Sequence, residues 1–518
     1  MLPPIPFLED YGLSEDYGFL SDELPIEKLS DPYYKQWESV VANLQALLLS
    51  RRLRTKIVNL PIVTASRLRT EAEWRRAYVL LSFMTHAYIW GGDVPEERVP
   101  PTISIPFTQV CKHLELPTVA TYAGVCLWNY KPIFDDEPID NLENLSTLAT
   151  FTGSLDESWF YLVSVAIEAR GGPIITWMLD AIAAARANNI REVTARLQAC
   201  AERLDEVGTL LQRMYENCDP HVFYHRIRPF LAGSKNMADA GLPNGVIFDT
   251  GRGDDRYVHY GGGSNAQSSL IQFFDVVLGV EHRPTGSQKQ QQYTDSSSSP
   301  ESEAEGPSSP PPRHNFIHEM RSYMPGPHRR FLQDVASVAN IHEYVSANKT
   351  NIALKTAFDA CLAMLRALRD KHIQMVSRYI VVKSRESRSL TRSLSPRNAP
   401  SSQPLNLAHT LSSPTKSSTS SKTSHSTTQS NRKSLKGTGG TALIPFLKQA
   451  RDETGEPAID AWARRMLSNG PAEEGILGGS PKVAALGKVG EHADGVVEIT
   501  GLAGTWSVDD SEGGLCHW

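Results

Sequence analysis

The residues best placed to do chemistry lie in one stretch, 356–382, TAFDACLAMLRALRDKHIQMVSRYIVV. Read at helical period, Cys361, Leu365, Leu368, His372, Met375 and Tyr379 recur at alternating steps of four and three, so they share one stripe that must be buried. That stripe carries a single imidazole at its middle. Arg369, one turn earlier, is close enough in angle for both side chains to reach the same object. A histidine on such a face is either a satisfied core residue or a ligand, and the stretch taken alone favours the former.

Other polar groups are weaker candidates. His314 and His318, at i,i+4 and followed by Glu319, could set two imidazoles on one helix face, but there is no HExxH and no third ligand, so they read as surface residues. Gly261-Gly262-Gly263-Ser264 has neither the GK[ST] ending of a P-loop nor the spacing of a dinucleotide fold. Its glycines still allow backbone to approach something flat or bulky, beside a helix start that favours an anion. Arg228, in the segment VFYHRIRPFL, either pairs with a carboxylate inside the fold or recognises one on a ligand; the residues alone favour the internal pair. Arg252-Gly253-Asp254 is short enough to arise by chance. No nucleophile elbow, Ser/His/Asp order or carboxylate dyad stands out, which leaves hydrolytic chemistry without support.

The elements that must position these groups are mostly helices. The chain has 518 residues, room for two or three domains with a large core, and a formal charge of −6 that offers no basic field for nucleic acid. Six cysteines (111, 126, 200, 218, 361, 516) show no CxxC or CxxCH spacing, which argues against a disulfide framework, a thiolate zinc site or covalent haem attachment and fits a reducing compartment. The first residues, MLPPIPFLEDYGLSEDYGF, do not resemble a signal peptide, and no run approaches the ~18–20 apolar residues of a membrane span, so a soluble cytoplasmic protein is expected.

Helical pattern is expected around residues 31–52 and 68–90, the second ended by Gly91-Gly92. Residues 97–150, with runs such as TISIPF, suggest short strands, turns and small helices. From 155 onward long helices are expected: 158–170, a break at Gly171-Gly172-Pro173, then 174–187, a further helix from Ile190 to Met214, a short one over 223–231, and one opened by the Gly/Ser turn over 267–278. Two polar stretches, 282–313 and 384–435, have too few apolar groups to order themselves and read as insertions into a folded domain. Ser395-Pro396 and Ser413-Pro414 in the second have the form of phosphorylation sites, which such composition also produces by chance. Residues 437–463 form a Gly-rich loop and a helix, and the tail after about 469 reads as weakly structured.

Seven segments, in order, carry a resemblance: LELPTVATYA (114–123), FYLVSVAIE (160–168), FYHRIRPFLAG (223–233), GGGSNAQSSLIQFFDVVLG (261–279), HEMRSYMPGPHRRFL (318–332), LRALRDKHIQMVSRYI (365–380) and KGTGGTALIPFLK (436–448). With the two insertions removed, they resemble the indoleamine 2,3-dioxygenase family, in a fungal-type form. The resemblance implies a mainly α fold: a small N-terminal α(+β) domain over residues 1–150 covering the distal pocket, a large all-helical haem domain over 151–468, and the tail 469–518.

It further implies a b-type haem with His372 as proximal ligand, Arg369 on a propionate and paired with Asp275, Ser264 near a propionate and Ile271 against the ring. L-tryptophan and O₂ are then expected on the other face. Tyr122, Phe160 and Phe223 would line the indole pocket, Ser164 would sit near the indole nitrogen, and Arg228 would pair with the substrate carboxylate. Gly263, Asn265 and a lid at Gly437-Thr438-Gly439 would complete the site, with Thr438 touching the carboxylate or ammonium. Ile271 stands where the best-known members carry an aromatic, Gly124 and Val125 replace a polar pair, and Asn265-Ala266 replace smaller residues. The implied reaction converts L-tryptophan to N-formyl-L-kynurenine, the first step of the kynurenine route toward NAD, in a cytoplasmic monomer served by a cellular reductant. The alternative is a low-activity relative acting as a haem-binding sensor or signalling protein.

Overall fold

In the computed structural model the described residues are 3–253, 256–284, 315–386, 438 and 443–468, with three short strands between 489 and 508. The fold is mainly α, as the periodicity implies. Eight helices of ten residues or more among the described residues carry it: α1 (Glu71–Trp90), α2 (Pro101–Leu114), α3 (Leu155–Arg186), α4 (Ile190–Gln212), α5 (Ser269–Leu278), α6 (Gly326–Val338), α7 (Ile352–Val376) and α8 (Leu443–Glu453).

The strands are short. Arg98–Val99 pairs parallel with Val246–Phe248, which pairs antiparallel with Tyr257–Val258; Tyr130–Pro132 pairs antiparallel with Leu145–Thr147. In the tail, Val489–Glu491, Val497–Gly501 and Gly504–Val508 make an antiparallel sheet. Most of the stretch 282–313, nearly all of 384–435, Gly437, Gly439, His314, Asp254 and the remainder of the tail lie outside the described residues.

Local chemistry explains where the helices begin. Thr70 and Glu73 form a capping box at the start of α1, each side chain serving the other's backbone N–H. The Ser154 side chain accepts from the Glu157 N–H to open α3, and Asn351 accepts from Leu354 N–H at 3.0 Å to open α7. α7 lies along α4 and α4 along α3, so the stripe of α7 is buried on one side. The Cys361 thiol even donates to the Leu197 carbonyl of α4, at 3.0 Å. Most buried apolar side chains from Leu8 to Ala458 form one cluster, and Val119, Phe316, Met320, Tyr323 and Phe446 form a second, smaller one.

Three expectations are corrected. TISIPF belongs to α2, not to a strand: Pro101 sits in its first turn, and Ile103, Phe107, Val110 and Leu114 are buried at helical spacing, so the longer period prevails over the local alternation. Asp31 to Arg52 is not one helix but a 3₁₀ turn and two short helices, Lys35–Ala42 and Leu44–Leu49. Gly171-Gly172-Pro173 does not break its helix, for α3 runs unbroken through 32 residues.

The glycines there serve contact. A Cβ on Gly172 would lie 2.5 Å from the Tyr17 carbonyl carbon and 2.7 Å from the Gly18 nitrogen, so the N-terminal segment crosses α3 at van der Waals distance. Alanine at 172 would gain about 1 kcal/mol of helix propensity, but overpacking against backbone costs roughly 1–3 kcal/mol or more. Gly172→Ala is therefore expected to lower stability, read as a fall in the denaturation midpoint, although the same change at an exposed helical glycine raises it.

The same helix is long and apolar enough by composition to cross a membrane, which the sequence reading did not anticipate, and 78% of its most apolar window is buried inside the protein. Five cysteines, Cys111, Cys126, Cys200, Cys218 and Cys361, are free and buried.

Candidate active site

Between these elements lies a cavity open to one side, with about 1940 Å³ of atom-free space counting its mouth. Apart from Gly437 and Gly439, which lie outside the described residues, the residues that the resemblance assigns to haem or substrate all line it. The segment after α2 supplies Tyr122; α3 supplies Phe160 and Ser164; the 220–231 segment supplies Phe223 and Arg228. The glycine turn supplies Gly263, Ser264 and Asn265, α5 supplies Ile271 and Asp275, α7 supplies Arg369 and His372, and Thr438 closes the ring.

Three wall segments, Ala123–Leu127, Phe223–Ile227 and Ser377–Val382, are π-type turns. Widening the helix by one residue re-aims side chains, a device that gathers at functional sites. Phe223, in one of these turns, lies 4.7 Å between ring centroids from Phe160 of α3 and 5.7 Å from Tyr379 of another.

His372 faces the cavity from α7, half-buried because the cavity itself is open to it. Burial in surrounding protein, with Arg369 adding to it, lowers its pKa to about 4, so the ring is neutral. Neither ring nitrogen takes a hydrogen bond from the described residues. A neutral imidazole aimed into a large cavity has the protonation state and the open valence of a metal ligand. Among the described residues no three His, Cys, Asp or Glu side chains gather to hold an ion by themselves. A ligand of this kind therefore suits a metal that brings its other donors with it, as haem does.

The cation expected beside it is also in place. Arg369 donates to both oxygens of Asp275 at 2.6 and 2.7 Å and to the Thr454 hydroxyl. His282 bridges Asp275, at 3.0 Å, and Glu453, at 2.7 Å. Burial alone would raise the Asp275 pKa, but Arg369 and His282 outweigh it and hold the carboxyl below its usual range. Asp275 thus orients Arg369, and its charge is committed to that task. Arg369 and Ser264 on this wall suit the propionates of such a group.

On the remaining wall the Tyr122 N–H donates to Gln267 Oε1 at 2.9 Å, and Gln267 Nε2 donates to the Gly262 carbonyl at 2.9 Å. Gly262 is needed where it stands, because a Cβ there would meet the Leu231 carbonyl oxygen at 2.0 Å. Thr438 docks on this turn: its hydroxyl donates to the Gly263 carbonyl at 2.8 Å, and its own carbonyl accepts from the Gly262 N–H at 3.0 Å. Arg228 is buried, with its guanidinium carbon 5.5 Å from the Tyr224 ring centre. Burial lowers its pKa and Tyr224 partly offsets this. His86 is excluded from chemistry, since one ring nitrogen meets the Phe230 carbonyl at 2.7 Å and the other accepts from the Ala120 N–H at 2.8 Å.

A lone neutral imidazole, a cation pinned one turn away and an aromatic wall around one cavity are what the resemblance requires, and comparison with known proteins decides the matter. The family model for indoleamine 2,3-dioxygenase matches residues 7–457. The chain belongs to the indoleamine 2,3-dioxygenase family. It is 38% identical over 460 residues to an indoleamine 2,3-dioxygenase of Saccharomyces cerevisiae, covering 87% of this chain and 93% of the relative. It is 36% identical over 452 residues to one of Aspergillus candidus, covering 86% and 96%. A 6-hydroxytryptophan 2,3-dioxygenase of Fusarium equiseti is 37% identical over 386 residues, 74% of this chain and 88% of that one. Indoleamine 2,3-dioxygenases are haem-dependent dioxygenases, and this chain is an enzyme of that class.

The structure also adds residues that the sequence reading missed. His282 was assigned to the polar insertion, yet it is buried against α5 and Glu453, because Gly279, at φ +69°, turns the chain back toward Asp275. Arg321 donates to Gln272, a wall residue, at 2.8 Å. Glu168, on α3 just behind the wall, accepts from Tyr122 and Ser268. Only the motif FYLVSVAIE, which ends on that glutamate, hinted at it.

Proposed function

We propose that the protein opens the indole ring of L-tryptophan, adding both atoms of O₂ across the C2–C3 bond to give N-formyl-L-kynurenine, in the cytoplasm, as a monomer, with a cellular reductant keeping iron ferrous. The observation that supports this most is that His372 and Arg228 open onto one largely apolar cavity: a neutral imidazole for the cofactor and a buried cation for an amino-acid carboxylate. When bound, haem supplies the redox-active iron on which O₂ chemistry depends.

The chain's own residues do the rest. His372 would hold the group, and Arg369, fixed by Asp275, would meet its acidic side chains. Phe160 and Phe223 give the indole two faces to pack on, and Tyr122 bounds it. Of the residues lining the cavity, Arg228 would take the carboxylate, Thr438 the polar end of the substrate and Ser164 the indole nitrogen. Gly263 and Asn265 shape the turn beside them. Apolar walls exclude water, and no general base is required of the protein.

The Fusarium equiseti relative named for 6-hydroxytryptophan makes ring-substituted tryptophans natural competitors. Haem-replete protein given L-tryptophan, a reductant and ¹⁸O₂ is expected to yield N-formylkynurenine carrying two labelled atoms, measured by mass spectrometry. Full haem loading with no product at high tryptophan would refute this reading.

A further inference from the structure

Behind the substrate-side wall sits a carboxyl that the proposed reaction does not use. Glu168 on α3 is buried, 1% exposed. Its Oε1 accepts from the Tyr122 hydroxyl at 2.9 Å and from the Ser268 hydroxyl at 2.6 Å. Its Oε2, equally buried, has no hydrogen-bond partner. Both donors line the cavity. One oxygen therefore ties together two wall residues from different elements, while the other is left bare.

A bare carboxylate oxygen out of water is costly, and protonating it removes most of that cost. In the neutral form Oε1 becomes an ordinary carbonyl acceptor; in the ionised form both bonds to it are charge-assisted and roughly twice as strong. The grip on Tyr122 and Ser268 thus depends on one proton. We propose that Glu168 is a positioning residue whose protonation state sets how firmly Tyr122 and Ser268 hold the substrate-side wall, so that substrate affinity rises as Glu168 ionises. This rests on the tryptophan-binding reading of the cavity.

The pH at which this happens is physiological. Burial raises the Glu168 pKa to about 7, opposed by the hydrogen bonds from Ser268 and Tyr122. The titratable groups facing it are Tyr122 and Cys126, from the segment after α2, both pushed far up by burial, so neither charges between pH 5 and 8. Ser268, which caps α5, and Ser164 from α3 complete its polar surroundings and carry no charge.

The test is tryptophan affinity from pH 5.5 to 8.5, read from the haem absorption band of the holoenzyme, in wild type, Glu168→Gln and Ser268→Ala. Wild-type affinity is expected to increase on the order of five-fold across the midpoint, the low end of ordinary coupling between two sites. Glu168→Gln, which keeps the shape and cannot ionise, should flatten the step. Ser268→Ala removes a donor that favours the charged form, so its midpoint should move to higher pH.

A second readout needs no substrate. A carboxyl whose pKa is raised on folding adds stability that is full below about 4.5 and lost as pH rises through about 7. The unfolding midpoint of wild type should therefore fall more than that of Glu168→Gln over this range. Parallel affinity profiles in wild type and Glu168→Gln would overturn the proposal even with binding intact. Failure of wild type to bind tryptophan at any pH would overturn the functional reading and this one with it, and the unfolding comparison would still report where Glu168 holds its proton.

Discussion

Replacing His372 with alanine is expected to abolish the haem absorption band and, with it, product formation. His372 is the imidazole on the cavity wall with no competing hydrogen bond among the described residues, and burial keeps it neutral. Losing a residue that merely supports a ligand costs about 10–100-fold in metal affinity; losing the ligand itself should exceed that. The haem-free variant should still fold, because its stripe neighbours Leu365, Leu368 and Met375 remain buried. The excised ring also leaves a hole of its own shape, so added imidazole is expected to restore part of the absorption band. If His372 were a packing residue, the result would be reversed: stability would fall, haem loading would be unchanged, and imidazole would have no effect. Spectra of the purified variant, with its unfolding curve, separate the two.

How much of this site could be read from the sequence differs residue by residue. The stripe was legible because a buried face repeats at 3.6 residues: Cys361 to Met375 lie on α7 where the period puts them, and Tyr379 is buried in the π-type turn that follows. The role of His372 was not legible from that stripe, since a core histidine and a ligand have the same pattern; only the seven-segment resemblance pointed to the ligand. Arg228 shows the same limit: the segment around it favoured an internal carboxylate and left one on a ligand open, and the structure adds that it lines the cavity by Tyr224.

Where the chain must be crossed by another segment, local reading failed in a consistent way. Gly171-Gly172 looked like a helix end because isolated glycines weaken helices, but the segment at Tyr17 and Gly18 makes Gly172 necessary inside one, and the Leu270 side chain packs against Gly171. His282 looked like the start of a polar insertion because its partners, Asp275 and Glu453, are seven and 171 residues away. The Glu168 carboxyl was hidden for the same reason: its donors come from positions 122 and 268, and no periodicity links the three.

Arg228→Ala is expected to raise the Michaelis constant for L-tryptophan sharply while leaving the haem band in place. Truncating one partner of a buried charge pair costs about 2–5 kcal/mol, so a middle value of about 3 kcal/mol corresponds to on the order of 100-fold in kcat/KM. Arg228→Lys keeps the charge but loses the planar fork that suits a carboxylate, so at this buried position it is no conservative change; an intermediate loss is expected. The decisive control is the substrate. Tryptamine has the indole and the ammonium but no carboxylate, so wild type should handle it as poorly as Arg228→Ala does, and the mutation should cost little further. A pocket collapsed by the lost side chain would instead penalise both substrates alike, because Phe160 and Phe223 would no longer frame the indole. An unchanged constant for tryptophan would remove Arg228 from substrate recognition and return it to the internal-pair role that its own segment suggested.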